Sequence, residues 1–119
     1  MPQIHYYGYN KCGSCRKALQ WLAAHDVPFA EHAIVDDPPS VATLKKILTS
    51  GKYELKDLFN KSGVRYREMN MKDKLKDMSQ AQALKLLADH GKLIKRPLIT
   101  DGNNHTVGFK EDVMQETWG

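Results

Sequence analysis

Both cysteines of the 119-residue chain lie in one short segment, YNKCGSCRK at residues 9–17. Only Gly13 and Ser14 separate Cys12 from Cys15, a spacing at which two thiols can form a disulfide. If a helix begins at or just after Cys12, unpaired backbone N–H groups and the helix dipole stabilise a thiolate there. Such a position lowers a thiol pKa from about 8.5 to roughly 3.5–7.5. We therefore assign nucleophilic attack to Cys12 and resolution of a mixed disulfide to Cys15.

Two other interpretations of the cysteine pair stay open. Cys15 falls on the apolar side of the predicted helix, so it could be a small core residue, as free cysteines often are. The pair could also be half of a zinc site, which needs four ligands when it is closed. The five histidines, at positions 5, 25, 32, 90 and 105, show no spacing that would complete such a site. We therefore expect no bound metal.

A β–α–β unit is predicted around the cysteine pair. Residues 3–8, QIHYYG, have strand composition and end in a glycine. From Cys15 the apolar positions follow the i, i+3, i+4, i+7, i+8 pattern of an amphipathic helix, which Asp26 and Pro28 end. Residues 28–35 predict a second strand, parallel to the first. This order places the cysteines just past the first strand, where the helix begins.

The rest of the chain predicts a helical middle and a strand hairpin. Helices are predicted at residues 40–51, 54–59 and 79–91, with Ser40 as one cap and a capping box of Ser79 and Gln82 as another. Residues 98–100 and 105–109 predict two antiparallel strands joined by a turn. A last short helix starts near Glu111.

The order of these elements predicts the fold class. It is α/β, with a thioredoxin-like mixed four-stranded sheet and an inserted helical subdomain at roughly residues 37–92. At this length the chain can bury a core without disulfide bonds. We expect residues 1–119 to form a single domain.

Arg96 and Pro97 form a second candidate constellation. In a thioredoxin-like domain a proline that enters the third strand can adopt the cis bond that exposes backbone beside the active cysteine, and cis bonds are otherwise rare. Arg96 would then direct two N–H donors at an oxyanion or a carboxylate in the same pocket. The alternative is that Pro97 only starts a strand and Arg96 lies in solvent. Asn10 could hydrogen-bond near the Cys12 sulfur, although asparagine is also a common turn residue.

Composition and charge limit the function classes. The net charge of +4 comes from 18 basic and 14 acidic residues of interleaved sign. A nucleic-acid binder more often shows a stripe of one sign with interleaved aromatic residues. The longest unbroken apolar run, residues 21–24, is too short for a signal peptide or a membrane span. We therefore expect a soluble, cytoplasmic protein that binds neither membranes nor nucleic acid directly, and whose positive charge favours anionic substrates.

Four segments of the chain resemble the arsenate reductase family, in particular the branch that includes the Spx-type regulators: YGYNKCGSCRKALQWL, LFNKSGVRYRE, IKRPLI and VGFKED. They occur in this order and at these separations in that family, and the resemblance covers essentially the whole chain. It implies a thioredoxin-like core with a helical insertion. In the glutaredoxin-linked arsenate reductases the first cysteine attacks arsenate, arginines bind the oxyanion, and glutathione with glutaredoxin regenerates the thiol. Cys12 and Arg96 match that pattern.

Two positions depart from the arsenate reductase pattern. Asn60 stands where those enzymes carry an arginine, and Lys110 stands in place of the later arginine. Losing two guanidinium groups weakens two-point binding of an oxyanion, because lysine is a point charge and asparagine is neutral. The segment CGSCRK looks closer to the Spx-type proteins, which bind the C-terminal domain of the RNA polymerase α-subunit and use the pair as an oxidation switch.

The residues and the resemblance lead to one main prediction and one alternative. The main prediction is a thiol–disulfide oxidoreductase that reduces a small oxyanion or disulfide with Cys12 and Cys15, assisted by Arg96. Its predicted substrate contacts are Asn10, Arg96, Pro97 and Lys110. Glutathione or thioredoxin would supply electrons, glutaredoxin or thioredoxin would be the protein partner, and no cofactor is bound. The alternative is an Spx-like redox-sensing transcriptional regulator that binds the RNA polymerase α-subunit.

Overall fold

The structure is a computed structural model that describes residues 3–119. The strands are β1 (His5–Gly8), β2 (Ala30–Ala33), β3 (Leu98–Thr100) and β4 (His105–Val107). The α-helices are α1 (Gly13–Ala24), α2 (Val41–Thr49), α3 (Val64–Glu68), α4 (Met71–Lys74), α5 (Gln80–Asp89) and α6 (Glu111–Trp118). Turns of 3-10 helix lie at Leu55–Leu58, Leu75–Asp77 and Gly91–Leu93. Four of the helices, α2 to α5, therefore lie between β2 and β3 in sequence, where a helical insertion is predicted.

The described strands form one mixed sheet in the order β2–β1–β3–β4. β1 pairs with β2 in parallel, with Tyr7 opposite His32, and with β3 in antiparallel fashion, with Tyr6 opposite Ile99. Parallel neighbours need a crossover connection, and α1 supplies it between β1 and β2. β3 and β4 form the antiparallel hairpin. The predicted parallel first pair and the predicted hairpin are both confirmed.

Side chains on the two faces of the sheet join two different buried clusters. Tyr6 and Ile99 pack with α1 and α6, in the cluster that also contains Cys15. Leu98, the neighbour of Ile99 in β3, packs on the other side with α2 and α5. This alternation follows from the two-residue period of a strand. It places the second cysteine in the core between α1 and the sheet.

Local signals set the helix ends that the sequence predicts. The hydroxyl of Ser40 accepts from the N–H of Thr43 at 3.2 Å at the start of α2. At the start of α5 the capping box is reciprocal: the Gln82 N–H donates to the Ser79 hydroxyl at 3.2 Å, and the Ser79 N–H donates to the Gln82 side chain at 3.0 Å. Each bond satisfies a first-turn N–H group that has no partner within its helix.

Several predicted elements are shorter in the structure than the sequence pattern indicates, and for two of them a local feature gives the reason. The helical piece expected at residues 54–59 is a single 3-10 turn, because Phe59 is already extended and pairs with Ile94. The fourth strand ends at Val107, because Gly108 follows with a φ of +81°. Among residues 3–119 no helix combines the length and the apolar character that crossing a membrane requires.

Candidate active site

Cys12 is the N-cap residue of α1. Its backbone is extended, with φ −111° and ψ 121°, and its carbonyl oxygen accepts the first helical bond, from the N–H of Arg16 at 3.1 Å. Its sulfur accepts from the backbone N–H of Cys15 at 3.3 Å. Serine, threonine or aspartate oxygens usually fill this role, because the first-turn N–H groups have no other partner. Cys12 therefore presents a sulfur atom where a helix favours a negative charge.

The surroundings of Cys12 lower the pKa of its thiol. Partial burial alone would raise this pKa, but the hydrogen bond from the Cys15 N–H and the positive charge of the nearby Arg96 outweigh that effect. The side chain is only partly buried, so a substrate can reach the sulfur. An accessible sulfur with a lowered pKa has the properties of a nucleophile at neutral pH.

Cys15 differs from Cys12 in both burial and acidity. It lies on the first turn of α1, with 1% of its surface exposed, in the cluster that also contains Ala18 and Leu22. Burial raises the pKa of Cys15 to about 11, and the adjacent Cys12 side chain contributes to the rise. Both cysteines are thiols in this structure. Cys15 is thus a core residue, as one interpretation of the sequence holds. This burial is compatible with a resolving role, because Cys15 and Cys12 are in direct contact.

Arg96 approaches the cysteines from the start of β3. Its guanidinium carbon lies 4.7 Å from the centre of the Tyr9 ring, a distance typical of a cation–π contact. The Arg96–Pro97 peptide bond is cis, as the sequence predicts. The Nη1 atom of Arg96 is buried and has no hydrogen-bond partner among residues 3–119. A buried donor without an acceptor costs roughly 1–3 kcal/mol, so an anionic group bound here would satisfy it.

Asn10 lines a cleft of about 630 Å³ that begins at the loop before Cys12 and follows the edge strand β2. The residues that line it are Tyr6, Gly8, Tyr9, Asn10, Leu19, Glu31, Ala33, Val35, Asp36 and Lys92. The backbone N–H of Cys12 donates at 3.3 Å to the carbonyl oxygen of Tyr9, one of the residues that line the cleft. Neither Cys12 nor Arg96 lines this cleft, so a substrate contact from Asn10 stays a prediction.

Lys110 lies in a different depression from Asn10. Together with Lys52 and Lys95 it lines a cleft of about 260 Å³ whose lining includes neither Cys12 nor Arg96. The structure thus brings together Cys12, Cys15 and Arg96, but it does not group Lys110 with them. A substrate contact from Lys110 stays a prediction.

Comparison of the sequence with known protein families identifies the family of this chain. The model of the ArsC family matches residues 7–117, which include the cysteine pair, Arg96 and Pro97. The chain belongs to the ArsC family.

Two relatives and one solved structure show which members of the ArsC family this chain is similar to. The uncharacterized protein YusI of Bacillus subtilis strain 168 is 50% identical over 115 residues, covering 97% of this chain and 98% of YusI. The global transcriptional regulator Spx 1 of Lactococcus lactis subsp. lactis is 32% identical over 112 residues, covering 94% of this chain and 86% of Spx 1. The crystal structure of an ArsC family related protein from Bacteroides fragilis has a TM-score of 0.89 at 35% identity and covers 96% of both chains. The predicted branch of the family and the thioredoxin-like fold are confirmed.

Sequence reasoning missed three aromatic residues at the site of this ArsC-family protein. Tyr9 stacks under Arg96, the hydroxyl of Tyr6 donates to the carbonyl oxygen of Cys15 at 3.2 Å, and Phe109 packs against the cluster that contains Cys15. The aromatic run beside the cysteine loop was the available signal for the two tyrosines. Phe109 directly follows the positive-φ Gly108, a combination that marks a turn and gives no hint of the site.

The ArsC-family chain also carries a histidine pair that the spacing of histidines did not reveal. The Nδ1 of His5 lies 2.9 Å from the Nε2 of His32, whose Nδ1 lies 2.8 Å from a carboxylate oxygen of Asp37. The pairing of β1 with β2 brings these residues together.

No group of three or more histidine, cysteine, aspartate or glutamate side chains within residues 3–119 is arranged to hold a metal ion.

Proposed function

We propose that this ArsC-family protein is a cytoplasmic thiol–disulfide oxidoreductase in which Cys12 is the nucleophile and Cys15 the resolving thiol. One observation carries the proposal: the partly exposed Cys12 sulfur caps α1 and accepts a hydrogen bond from the residue that would resolve it. The different pKa directions of the two thiols support distinct roles, since the more acidic and more accessible thiol attacks first.

The proposed reaction transfers two electrons from the cysteine pair to a disulfide. The Cys12 thiolate attacks one substrate sulfur, forms a mixed disulfide and releases the other half as a thiolate. Cys15 then loses its proton to solvent and attacks the Cys12 sulfur, which forms the Cys12–Cys15 disulfide and releases the second half. Glutathione or thioredoxin would supply the electrons that return the pair to thiols. The protein partner in that step would be thioredoxin or glutaredoxin.

Arg96 is the group that we propose for substrate recognition. Its buried Nη1 needs an acceptor, and a carboxylate or an oxyanion of the substrate would provide one. Pro97 shapes the backbone beside it, Asn10 lines the neighbouring cleft, and Lys110 would add positive charge. Because Asn60 and Lys110 replace two arginines of the arsenate reductases, we expect arsenate to be reduced only weakly, since neither side chain binds an oxyanion at two points.

A disulfide reduction assay tests this function. We expect the protein to reduce oxidised glutathione or cystine in the presence of thioredoxin or glutaredoxin with a coupled reductase. Cys12→Ser should lose nearly all activity, and Cys15→Ser should accumulate a mixed disulfide at Cys12 that mass spectrometry detects. Ser14→Ala, which changes an exposed residue between the cysteines, is the matched control. Full activity of Cys12→Ser would refute the proposal.

A second candidate function is a redox-controlled transcriptional regulator. The 32% identity to a global transcriptional regulator, over 94% of this chain, favours it. In that case oxidation of the pair would change the affinity for the C-terminal domain of the RNA polymerase α-subunit, without repeated turnover. Titration of that domain with the reduced and the oxidised protein distinguishes the candidates. Redox-dependent binding without turnover supports the regulator, whereas turnover without binding in either state supports the oxidoreductase.

A further inference from the structure

Tyr6 connects the sheet to the resolving cysteine. It lies on the face of β1 that packs against α1, and 1% of its surface is exposed. Its hydroxyl donates to the backbone carbonyl oxygen of Cys15 at 3.2 Å. A tyrosine hydroxyl that is buried among apolar side chains needs such an acceptor. Here the acceptor belongs to the residue that would resolve the mixed disulfide.

The bond from Tyr6 is an additional one for the Cys15 carbonyl. In an α-helix that carbonyl already accepts from the N–H four residues later, at Leu19, and a carbonyl oxygen has a second lone pair for the tyrosine. The hydroxyl can therefore leave the carbonyl without breaking the helix. The sulfur of Cys15 belongs to the same residue as this carbonyl, and the Tyr6 hydroxyl acts to lower the pKa of that thiol.

Gly8 leaves the space that the Tyr6 hydroxyl occupies. The two residues are two positions apart on β1, so they share one face of the sheet. A β-carbon built on Gly8 would overlap the hydroxyl oxygen and the ring carbons of Tyr6. Any larger residue at position 8 would thus displace the Tyr6 ring and its hydroxyl from this position. Tyr6 and Gly8 together direct a hydrogen-bond donor at the first turn of the helix.

We propose that Tyr6 is a positioning residue for the resolving step: its hydroxyl turns from the Cys15 carbonyl to the Cys15 sulfur when that sulfur becomes a thiolate. This inference rests on the proposed oxidoreductase function. Cys15 loses its proton to solvent, and Tyr6 donates a hydrogen bond without giving up its own proton. The new S–S bond forms between Cys15 and Cys12, and the substrate half leaves as a thiolate that is protonated by solvent.

The charges around Tyr6 keep its hydroxyl a donor. Burial raises the pKa of Tyr6, and negative charge at Cys15, at Glu31 and at Cys12 raises it further, so the phenol stays protonated at neutral pH. For Cys15, burial and the adjacent Cys12 raise the thiol pKa, whereas the Tyr9 backbone and the Tyr6 hydroxyl act in the opposite direction. Removing the hydroxyl therefore removes one of the groups that favour the resolving thiolate.

Tyr6→Phe tests the inference, because it removes the hydroxyl and keeps the ring. Dithiobis(nitrobenzoate) should react with the protein in two phases: attack by Cys12 would release one nitrothiobenzoate, and resolution by Cys15 would release a second. We expect Tyr6→Phe to leave the first phase unchanged and to slow the second about tenfold or more, the loss expected for a hydrogen bond to a charged group. The pH midpoint of the second phase should move upward.

Two further variants make the test specific. Tyr7→Phe removes a hydroxyl from the other face of β1, where the ring stacks on His32, and should leave both phases unchanged. Gly8→Ala should reproduce the slow second phase of Tyr6→Phe, and it carries the test if Tyr6→Phe does not fold. Circular dichroism verifies folding in each case.

The outcomes separate this inference from the function on which it rests. A wild-type protein that shows only the first phase would refute the resolving role of Cys15, and with it the proposed function. Two phases in the wild type, with an unchanged second phase in Tyr6→Phe, would overturn the role of Tyr6 alone. Equal slowing of both phases would also overturn it, because that result indicates a general loss of structure. A slower second phase with an unmoved pH midpoint would overturn it too, because the hydroxyl would then not act on the Cys15 thiolate.

Discussion

The guanidinium carbon of Arg96 lies 4.7 Å from the centre of the Tyr9 ring. Tyr9 belongs to the loop between β1 and α1, whereas Arg96 directly precedes Pro97 and β3. This contact therefore joins the two parts of the chain that form the candidate active site. It holds a permanent positive charge where that charge lowers the pKa of Cys12.

Replacing Arg96 with methionine should raise the pKa of Cys12. The variant loses the positive charge that favours the thiolate, although the helix N-terminus remains. We expect the rate of Cys12 alkylation by iodoacetamide to fall several-fold near pH 6.5 and to approach the wild-type rate at pH 9. Arg65→Met, which removes an exposed positive charge from α3, is the control. Equal loss in both variants would mean that Arg96 has no specific effect on Cys12.

Cys15 should react slowly when it is the only cysteine. In Cys12→Ser the remaining thiol is buried and has a raised pKa, so little thiolate is present at neutral pH. We expect its alkylation at pH 8 to be at least about tenfold slower than that of free cysteine, measured by mass spectrometry over time. Unfolding in urea should remove this protection. Rapid alkylation in the folded variant would contradict the burial of Cys15.

Stability should decrease as the pH falls below the ordinary range of histidine, because of His105. Burial lowers the pKa of His105, and Lys46 and Lys52 act in the same direction, while Asp101 opposes them. The unfolded chain therefore binds a proton at His105 more readily than the folded chain does. The stability that this difference provides is present above about pH 6.5 and is lost as the pH falls from there towards the lower folded-state pKa.

His105→Asn tests that dependence, since an asparagine can keep a polar contact to Thr100, whose hydroxyl lies 2.7 Å from the His105 Nδ1. Urea unfolding at pH 7.5 and at pH 5 should show a smaller difference in midpoint for the variant than for the wild type. His90→Asn, which changes a more exposed histidine, should retain the wild-type difference. An identical pH dependence in His105→Asn would show that His105 is not responsible.

The capping box of α5 should contribute measurably to stability. Ser79→Ala removes the hydroxyl that accepts from the Gln82 N–H at 3.2 Å. Loss of such a cap costs about 1 kcal/mol, which lowers the melting temperature of a chain of this size by roughly 3–8 °C. Ser62→Ala, in an exposed loop, should change the melting temperature little. A melting temperature of Ser79→Ala equal to that of the wild type would show that the cap is dispensable.

The parts of the fold that the sequence predicts well are those with a clear period or a strong cap. The twelve-residue helix α1, which begins between the two cysteines, shows an apolar stripe from Cys15 onward, and α5 starts with a capping box. In contrast, α3 has five residues and buries none of them, and α4 has four residues. Segments this short contain little more than one helical turn, so they cannot show periodicity, and only tertiary contacts define them.

The candidate site divides in the same way. The spacing of Cys12 and Cys15 and the position of Pro97 are local features. The first predicts that Cys12 lies at the start of α1, and the second predicts the cis bond between Arg96 and Pro97. The contact between Arg96 and Tyr9 links distant parts of the chain, so no local pattern could indicate it. The orientation of Tyr6 towards Cys15 depends on which face of β1 meets α1, which only the sheet register decides.

The rate of Cys12 alkylation as a function of pH tests the central claim most directly, because it reports the thiolate itself. Cys15→Ser is the protein to use, since its only thiol is Cys12 and its backbone N–H at position 15 is retained. We predict a midpoint clearly below the value of about 8.5 of a free cysteine, with fast alkylation persisting at neutral pH. A midpoint at or above that of free cysteine would mean that Cys12 is not an activated nucleophile, and would contradict the account.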